Sequence, residues 1–351
     1  MKKKLLALTL ALAMSLPLVA CGEDAPSSTT GNNASSSTST GDPIIMKVAG
    51  TFNDESFMGI YLHEYFKPYV EEHSNGRISV EIYTNSVLGS DRELVEGMQM
   101  NTIQAAVSPV NVIANFNMPK LNAISMPYLF QSREDAYEQL DGEFGAYMAE
   151  GLPETVGIRS LRWGESAIRC LSSNVRPILT PADCKGQKFR VMEAAIDMAI
   201  IEALGGSPTP MAFNELYTGL QQGTVDGQDN GLVMTYSMKF HEVQKYYTVS
   251  EQYFLANGFI VSEIFWQSLP DDLKQVVQDG ADYAMEKGRE IVVQQEAEFT
   301  PIMEEAGMEI TYLTDEQKAA FKEATSTVWD RIDELVQDEK AIEMAETLYA
   351  R

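Results

Sequence analysis

The sequence predicts an α/β protein of two lobes, and three observations carry that expectation. Strand-like and helical segments alternate at βαβ spacing, the alternation restarts midway along the chain, and a proline-free helical stretch near the end is long enough to run along both halves. Ile44 to Gly50 is a short β-rich segment, and Ser56 to Glu72 carries Phe57, Ile60, Tyr61, Tyr65 and Tyr69 at helical spacing. Asn75-Gly76 then turns into a strand over Ile78 to Tyr83, so the unit implies a parallel sheet. Arg92 to Met100 is expected as a helix and Ile103 to Val107 as the next strand. A second series starts near Val156-Gly157-Ile158, with a strand at Lys188 to Val191 and helices over Ala194 to Leu204 and Ala212 to Gln221, stopped by Gly205-Gly206 and Gly223. Leu269-Pro270-Asp271-Asp272 opens a helix that meets no proline before Pro301, about 45 Å at 1.5 Å per residue. A final amphipathic helix is expected from Thr314 onward.

The N-terminus carries its own instructions. Lys2, Lys3 and Lys4 precede an apolar run from Leu5 to Ala20, which describes a secretion signal rather than a membrane span. Leu18-Val19-Ala20-Cys21 fits the lipobox, so Cys21 is expected to be lipidated and to tether the mature chain to the membrane by its lipid alone. Residues 23–43 are dominated by Ser, Thr, Gly and Asn, with too little apolar surface to offset the entropy of ordering, and form a flexible leash. The remainder, from Ile44 to Arg351, fits two lobes of roughly 150 residues each.

The formal charge is −25, and removing the three signal lysines makes it more negative still. That argues against a nucleic-acid partner and against electrostatic docking on anionic lipid. Apart from Cys21 the cysteines are Cys170 and Cys184, without C-x-x-C spacing; no zinc ligand set exists, and the pair could form a disulfide or remain two unrelated buried thiols. His63 and His241 fall on helix surface and His73 in a turn, with no G-x-S-x-G beside them, so a Ser/His/Asp enzyme is not expected. Glu71/Glu72 and Glu304/Glu305 are adjacent on exposed helices, where their side chains diverge. Gly205-Gly206 follows a helix instead of opening one and is no phosphate cradle. Neither a metal nor a cofactor is implied.

The informative stretch runs from Arg169 to Asn230. It contains Arg169-Cys170-Leu171-Ser172-Ser173-Asn174, Thr180-Pro181-Ala182-Asp183, Lys185-Gly186-Gln187-Lys188-Phe189-Arg190-Val191, Gly206-Ser207-Pro208-Thr209-Pro210-Met211-Ala212-Phe213 and Leu220-Gln221-Gln222-Gly223-Thr224-Val225-Asp226-Gly227-Gln228-Asp229-Asn230. Leu88-Gly89-Ser90-Asp91-Arg92-Glu93-Leu94, Met126-Pro127-Tyr128-Leu129-Phe130 and Trp266-Gln267-Ser268-Leu269-Pro270 lie further out. In order and spacing these segments resemble the solute-receptor (DctP-like) family of TRAP transporters, tripartite and ATP-independent, from about Ile44 to the C-terminal helix.

The resemblance implies a two-lobed, periplasmic-binding-protein-like fold of the Venus-flytrap type (type II), with long C-terminal helices spanning both lobes. Lobe I would cover residues 44–167, completed by about 255–300, and lobe II 168–254, completed by about 307–351. It implies an extracytoplasmic receptor, not an enzyme, that captures a small organic acid and delivers it to small and large membrane subunits. Arg190 would grip the ligand carboxylate; a guanidinium is planar, permanently charged and offers two parallel donors. Arg169 would be the second arginine, with Arg176 its competitor, and Asn230 would fix it from the facing loop. Phe213 would pack on the ligand's carbon skeleton, and Glu96, Phe52 and Trp163 would contribute from lobe I. The chain departs from the family pattern at Asp229-Asn230-Gly231, where Glu-Asn-Pro is usual, and around Asn101, Gln104, Glu251 and Gln252. An ABC-type solute-binding lipoprotein shares the architecture without the Gly186 to Asn230 pattern; a secreted hydrolase would need an acid pair facing across the cleft.

Overall fold

Two long strands organise the chain. The computed structural model describes residues 41–351, which form one compact unit from Asp42; the signal, Cys21 and nearly all of the expected leash lie outside the described residues. Strand β1 (Ile44–Ala49) pairs in parallel with β2 (Ile78–Tyr83) and β3 (Ala105–Pro109). The expected helix between β1 and β2 forms over Phe57–Ile60 and Lys67–His73, with a π-helical stretch Tyr61–Phe66 between them. Its aromatic face is the buried one: Phe57, Tyr61 and Phe66 sit in the core.

Strand β4 (Ile158–Ser173) and strand β8 (Tyr246–Ser262), 16 and 17 residues long, run antiparallel side by side from Ile158 opposite Ser262 to Ser173 opposite Tyr246. At one end β3 adds to β8. At the other, β7 (Gly227–Asn230) adds to β4 and leads to β5 (Lys188–Val191) and β6 (Ser207–Pro210), while β9 (Glu309–Tyr312) adds to β8. One nine-stranded sheet results, in the order β2-β1-β3-β8-β4-β7-β5-β6 with β9 beside β8. Its two ends are joined through β4 and β8, which is the architecture of two α/β lobes on a shared pair of strands. The expected lobe boundaries fall within these strands, where Ala167 faces Leu255 and Ile168 faces Phe254. The β4 register shifts there, between Glu165 and Ala167, and the buried Glu165 is held by Arg133 at 2.9 Å and by the Tyr137 hydroxyl.

Two helix expectations need correction. The long helix spans Asp271–Glu305, 35 residues and about 52 Å. It passes Pro301 and ends four residues later, before Gly307 at φ 99°. Gly288 lets it lie against Tyr61, since a Cβ there would come within 2.7 Å of that ring. Further along, Met303 packs with Tyr247 and Met308 at the other end of the sheet. The single C-terminal helix is instead three: Asp315–Trp329, Ile332–Val336 and Glu339–Tyr349. Gln337 takes a left-handed conformation and Asp338 caps the last helix by accepting from the Ala341 N–H, so the chain folds back until Trp329 stacks on Tyr349 at 4.1 Å. Cys170 and Cys184 are both buried free thiols.

Candidate functional site

Two adjoining cavities share Asp91, Arg190, Met192 and Phe213. Their walls come from the ends of β1, β3, β5 and β7, the middles of β4 and β8, and the first turn of the helix Asp91–Gln99. That turn is fixed by a capping box, Ser90 accepting from the Glu93 N–H while the Glu93 carboxylate accepts from Ser90.

Arg190 rises from β5 into this space. It is 2 % exposed, its Nε donates to the Met211 carbonyl at 3.0 Å, and its guanidinium lies 5.5 Å from the Phe213 ring centroid. Among the described residues no carboxylate comes within ion-pair distance of it. Burial, followed by the neighbouring charge of Arg169, pushes the guanidinium down to about 10 against the pull of Asp229, Asp197 and Asp91.

Arg169 is nearby and differently placed. Its Nη2 meets Asp229 Oδ1 at 3.0 Å and the Asp229 carbonyl, Nε reaches Asp229 Oδ2 at 3.3 Å, and Nη1 donates to Asn230 Oδ1 at 2.9 Å. Burial opposes its charge, but Asp229, Tyr253 and Asp197 together more than compensate and hold the group above its ordinary range. Four of its five N–H donors are therefore used within the protein. Asn230 is buried, accepting from Arg169 and from the Gly231 N–H at 3.0 Å.

Behind this pair lies a proton count. The Tyr253 hydroxyl sits 2.6 Å from Asp197 Oδ1 and 2.8 Å from Asp229 Oδ2. A phenol has one proton to donate, so the second contact needs a carboxylic acid that donates to the phenol oxygen. Asp229 is ion-paired with Arg169; the extra proton belongs on Asp197, which burial and the neighbouring Asp229 push up to about 7. Asn111 donates to Asp197 Oδ2 at 3.0 Å and Ser125 to Asn111 Oδ1 at 2.6 Å.

The other expected residues divide. Phe52 and Phe213 line the cavity. Trp163 does not: it is buried with Nε1 donating to the Gly145 carbonyl at 2.8 Å, its ring against Gly258, on a separate surface depression. Glu96 lies outside the cavity walls and pairs with Arg92 one turn back at 3.0 Å. Arg176 clamps a turn by donating to the Asp183 and Lys185 carbonyls, each at 3.0 Å. Sequence reasoning missed Thr51, Asp91, Met192 and Asn257 on the cavity wall. The Ser90-Asp91-Arg92-Glu93 capping box marks the helix start that brings Asp91 there; nothing in the sequence marks Asn257. Asp91 accepts from Thr51 Oγ1 at 3.2 Å, and burial pushes its carboxyl up to about 6 in spite of Thr51 and Arg190.

Among the described residues no three His, Cys, Asp or Glu side chains are grouped to hold a metal ion, and no helix is long and apolar enough to cross a membrane. The family model for bacterial extracellular solute-binding protein family 7 matches residues 48–335. The C4-dicarboxylate-binding periplasmic protein DctP of Rhodobacter capsulatus is 31 % identical over 276 residues, 77 % of this chain and 81 % of that protein. A TRAP periplasmic solute-binding protein from Sulfurospirillum deleyianum, solved with succinate, superimposes with a TM-score of 0.82 at 29 % identity, covering 87 % of this chain and 99 % of that one. Another from Roseobacter denitrificans, solved with L-galactonate, gives 0.80 at 30 % identity over 88 % and 99 %. With that match and the shared architecture, the chain belongs to bacterial extracellular solute-binding protein family 7, the DctP family.

Proposed function

We propose that this chain is the extracytoplasmic solute receptor of a TRAP transporter and captures a small organic acid through Arg190, without transforming it. The observation that carries the reading is a buried guanidinium, facing a cavity, with no carboxylate within ion-pair distance among the described residues. A buried unpaired charge is costly, and a ligand carboxylate accepting two parallel hydrogen bonds would relieve that cost. Relatives solved with succinate and with L-galactonate support an acid as cargo.

Arg169 and Asn230 support the wall from behind, with one Nη1 proton left to the ligand. Capture proceeds by closure of lobe I (44–167 with about 255–300) on lobe II (168–254 with about 307–351), the bend falling where β4 shifts register beside Leu255. Closure excludes water, which strengthens the Arg190 contact. Lipidated Cys21 and residues 23–43 tether the receptor to the membrane, and the closed form hands its ligand to a small and a large membrane subunit.

Thermal unfolding of the purified protein against a panel of organic acids tests the reading. A ligand at 100 times its Kd adds about 2.7 kcal/mol of stability. That gain should vanish in Arg190→Ala; a gain that survives the substitution would show the acid to be held elsewhere.

A further inference from the structure

We infer that the cavity selects a monocarboxylate with a largely apolar body and few hydroxyls, and that Asp91 is the residue that excludes dicarboxylates. The inference rests on Arg190 as the carboxylate anchor and concerns what the rest of the ligand must be.

Around the anchor much of the wall is apolar and soft: Phe52, Met58, Met192, Phe213, Met234 and Leu255 all line the space that Arg190 faces. Thioethers and rings complement carbon and hydrogen, and their side chains adapt to a branched body. The polar wall atoms are mostly spent. Arg169 and Asn230 bond each other, and Thr51 bonds Asp91. A few are not: Asp91, whose carboxylate has one protein donor in Thr51, Asn257, the Ser166 hydroxyl and one Arg169 Nη1 proton. Asn257 is 2 % exposed, its Oδ1 has no partner, and its Nδ2 meets the weak acceptor Met58 Sδ at 2.9 Å. An amide and a carboxylate can together satisfy one hydroxyl, which donates to one and accepts from the other.

Charge narrows the class further. A second ligand carboxylate in the same small space would meet Asp91, a like charge, and neither desolvated anion would find a free cation. A polyhydroxylated acid would bury more hydroxyls than Asp91, Asn257, Ser166 and the Arg169 Nη1 proton can partner, the rest lying against methionine and phenylalanine, which a closed site rejects. An ammonium on the ligand would neutralise Asp91, but it would sit beside two guanidiniums, Arg190 and Arg169, that already repel each other.

Calorimetry on the purified protein with five probes reads the selection: 2-hydroxy-4-methylpentanoate, 4-methylpentanoate, leucine, succinate and galactonate. The hydroxy acid should bind at least tenfold more tightly than each of the others, and Arg190→Ala should abolish its binding. Asp91→Asn should shrink the preference for the hydroxy acid over succinate at least tenfold. If succinate, galactonate or leucine binds the unaltered protein as tightly as the hydroxy acid, and that binding needs Arg190, the selectivity inference is overturned and the anchor stands. An unchanged preference in Asp91→Asn removes Asp91 from the role. Should none of the five bind with a Kd below 1 mM, the inferred class is wrong; should an acid bind independently of Arg190, the anchor fails and the inference with it.

Discussion

Replacing Arg190 by methionine should stabilise the ligand-free protein while destroying acid binding, an opposition that separates a ligand anchor from a structural arginine. The guanidinium is held at about 10, well below its ordinary range, which corresponds to roughly 3 kcal/mol of unfavourable free energy in the charged form. Because this base is lowered on folding, the penalty is complete at neutral pH and fades only as pH rises beyond about 10. Against it stand one hydrogen bond to the Met211 carbonyl, about 1 kcal/mol, and the approach to Phe213, about 0.5–1 kcal/mol. The balance leaves methionine, of similar length and no charge, about 1 kcal/mol ahead in urea unfolding of the ligand-free protein. In the complex the sign reverses: two charge-assisted hydrogen bonds at about 1.5–3 kcal/mol each are lost, so acid affinity drops by a hundredfold or more. A ligand-free variant less stable by more than about 1 kcal/mol, or one that still binds the acid, would refute the assignment of an unsatisfied charge awaiting a ligand.

Three further outcomes follow from the buried groups around the cavity. Asp229→Ala leaves the Arg169 charge without its carboxylate and should cost about 3–5 kcal/mol in urea unfolding, most of it recovered when Arg169→Met is added; a cost below 1 kcal/mol would mean the pair is solvated. Asp197 keeps its proton in the folded state up to about 7, whereas the unfolded chain releases it near 4. The folded protein thus binds more protons across that window, and stability should fall as pH rises from about 4 to 7, by up to about 1.4 kcal/mol per pH unit; Asp197→Asn should flatten that part of the profile, and an unaltered slope would count against the proton on Asp197. Burial pushes the Cys170 thiol up to about 11 and Cys184 up to about 12, so in a Cys21→Ser chain at pH 8 neither should react with a thiol reagent until urea is added, when two should; no titratable thiol in urea would instead indicate a disulfide.

What was legible in the sequence was local. The βαβ unit, the Lys188 to Val191 strand and the start of the long helix all appear where periodicity, turn residues and caps mark them, because each signal acts within a few residues. The length of β4 and β8 was not, since a strand that serves two lobes changes its burial partners midway and loses any single alternation; eleven consecutive residues of β8, Gln252–Ser262, are buried. Trp163 and Glu96 show the same limit at the level of side chains: one meets a carbonyl 18 residues upstream, the other its own helix, and neither distance is written in composition.

The two arginines make the decisive case. The family resemblance gives the carboxylate grip to Arg190 and a second contact to Arg169, 21 positions apart and both flanked by strand-like residues, without a physical reason for that order. Tertiary pairing supplies one. Because β4 and β7 lie side by side with Cys170 opposite Asn230 and Leu171 opposite Asp229, Arg169 comes within reach of Asp229 and spends its fork on it. Arg190, one strand further along, reaches only a backbone carbonyl and an aromatic face. An internal carboxylate therefore satisfies one guanidinium and leaves the other charged, desolvated and open to the cavity. Had Asp229 been absent, the two cations would repel each other unneutralised in the same wall. With it present, Arg169 supports Asn230 and the Tyr253–Asp197 network, and the unmet demand for an anion is concentrated on the single residue Arg190.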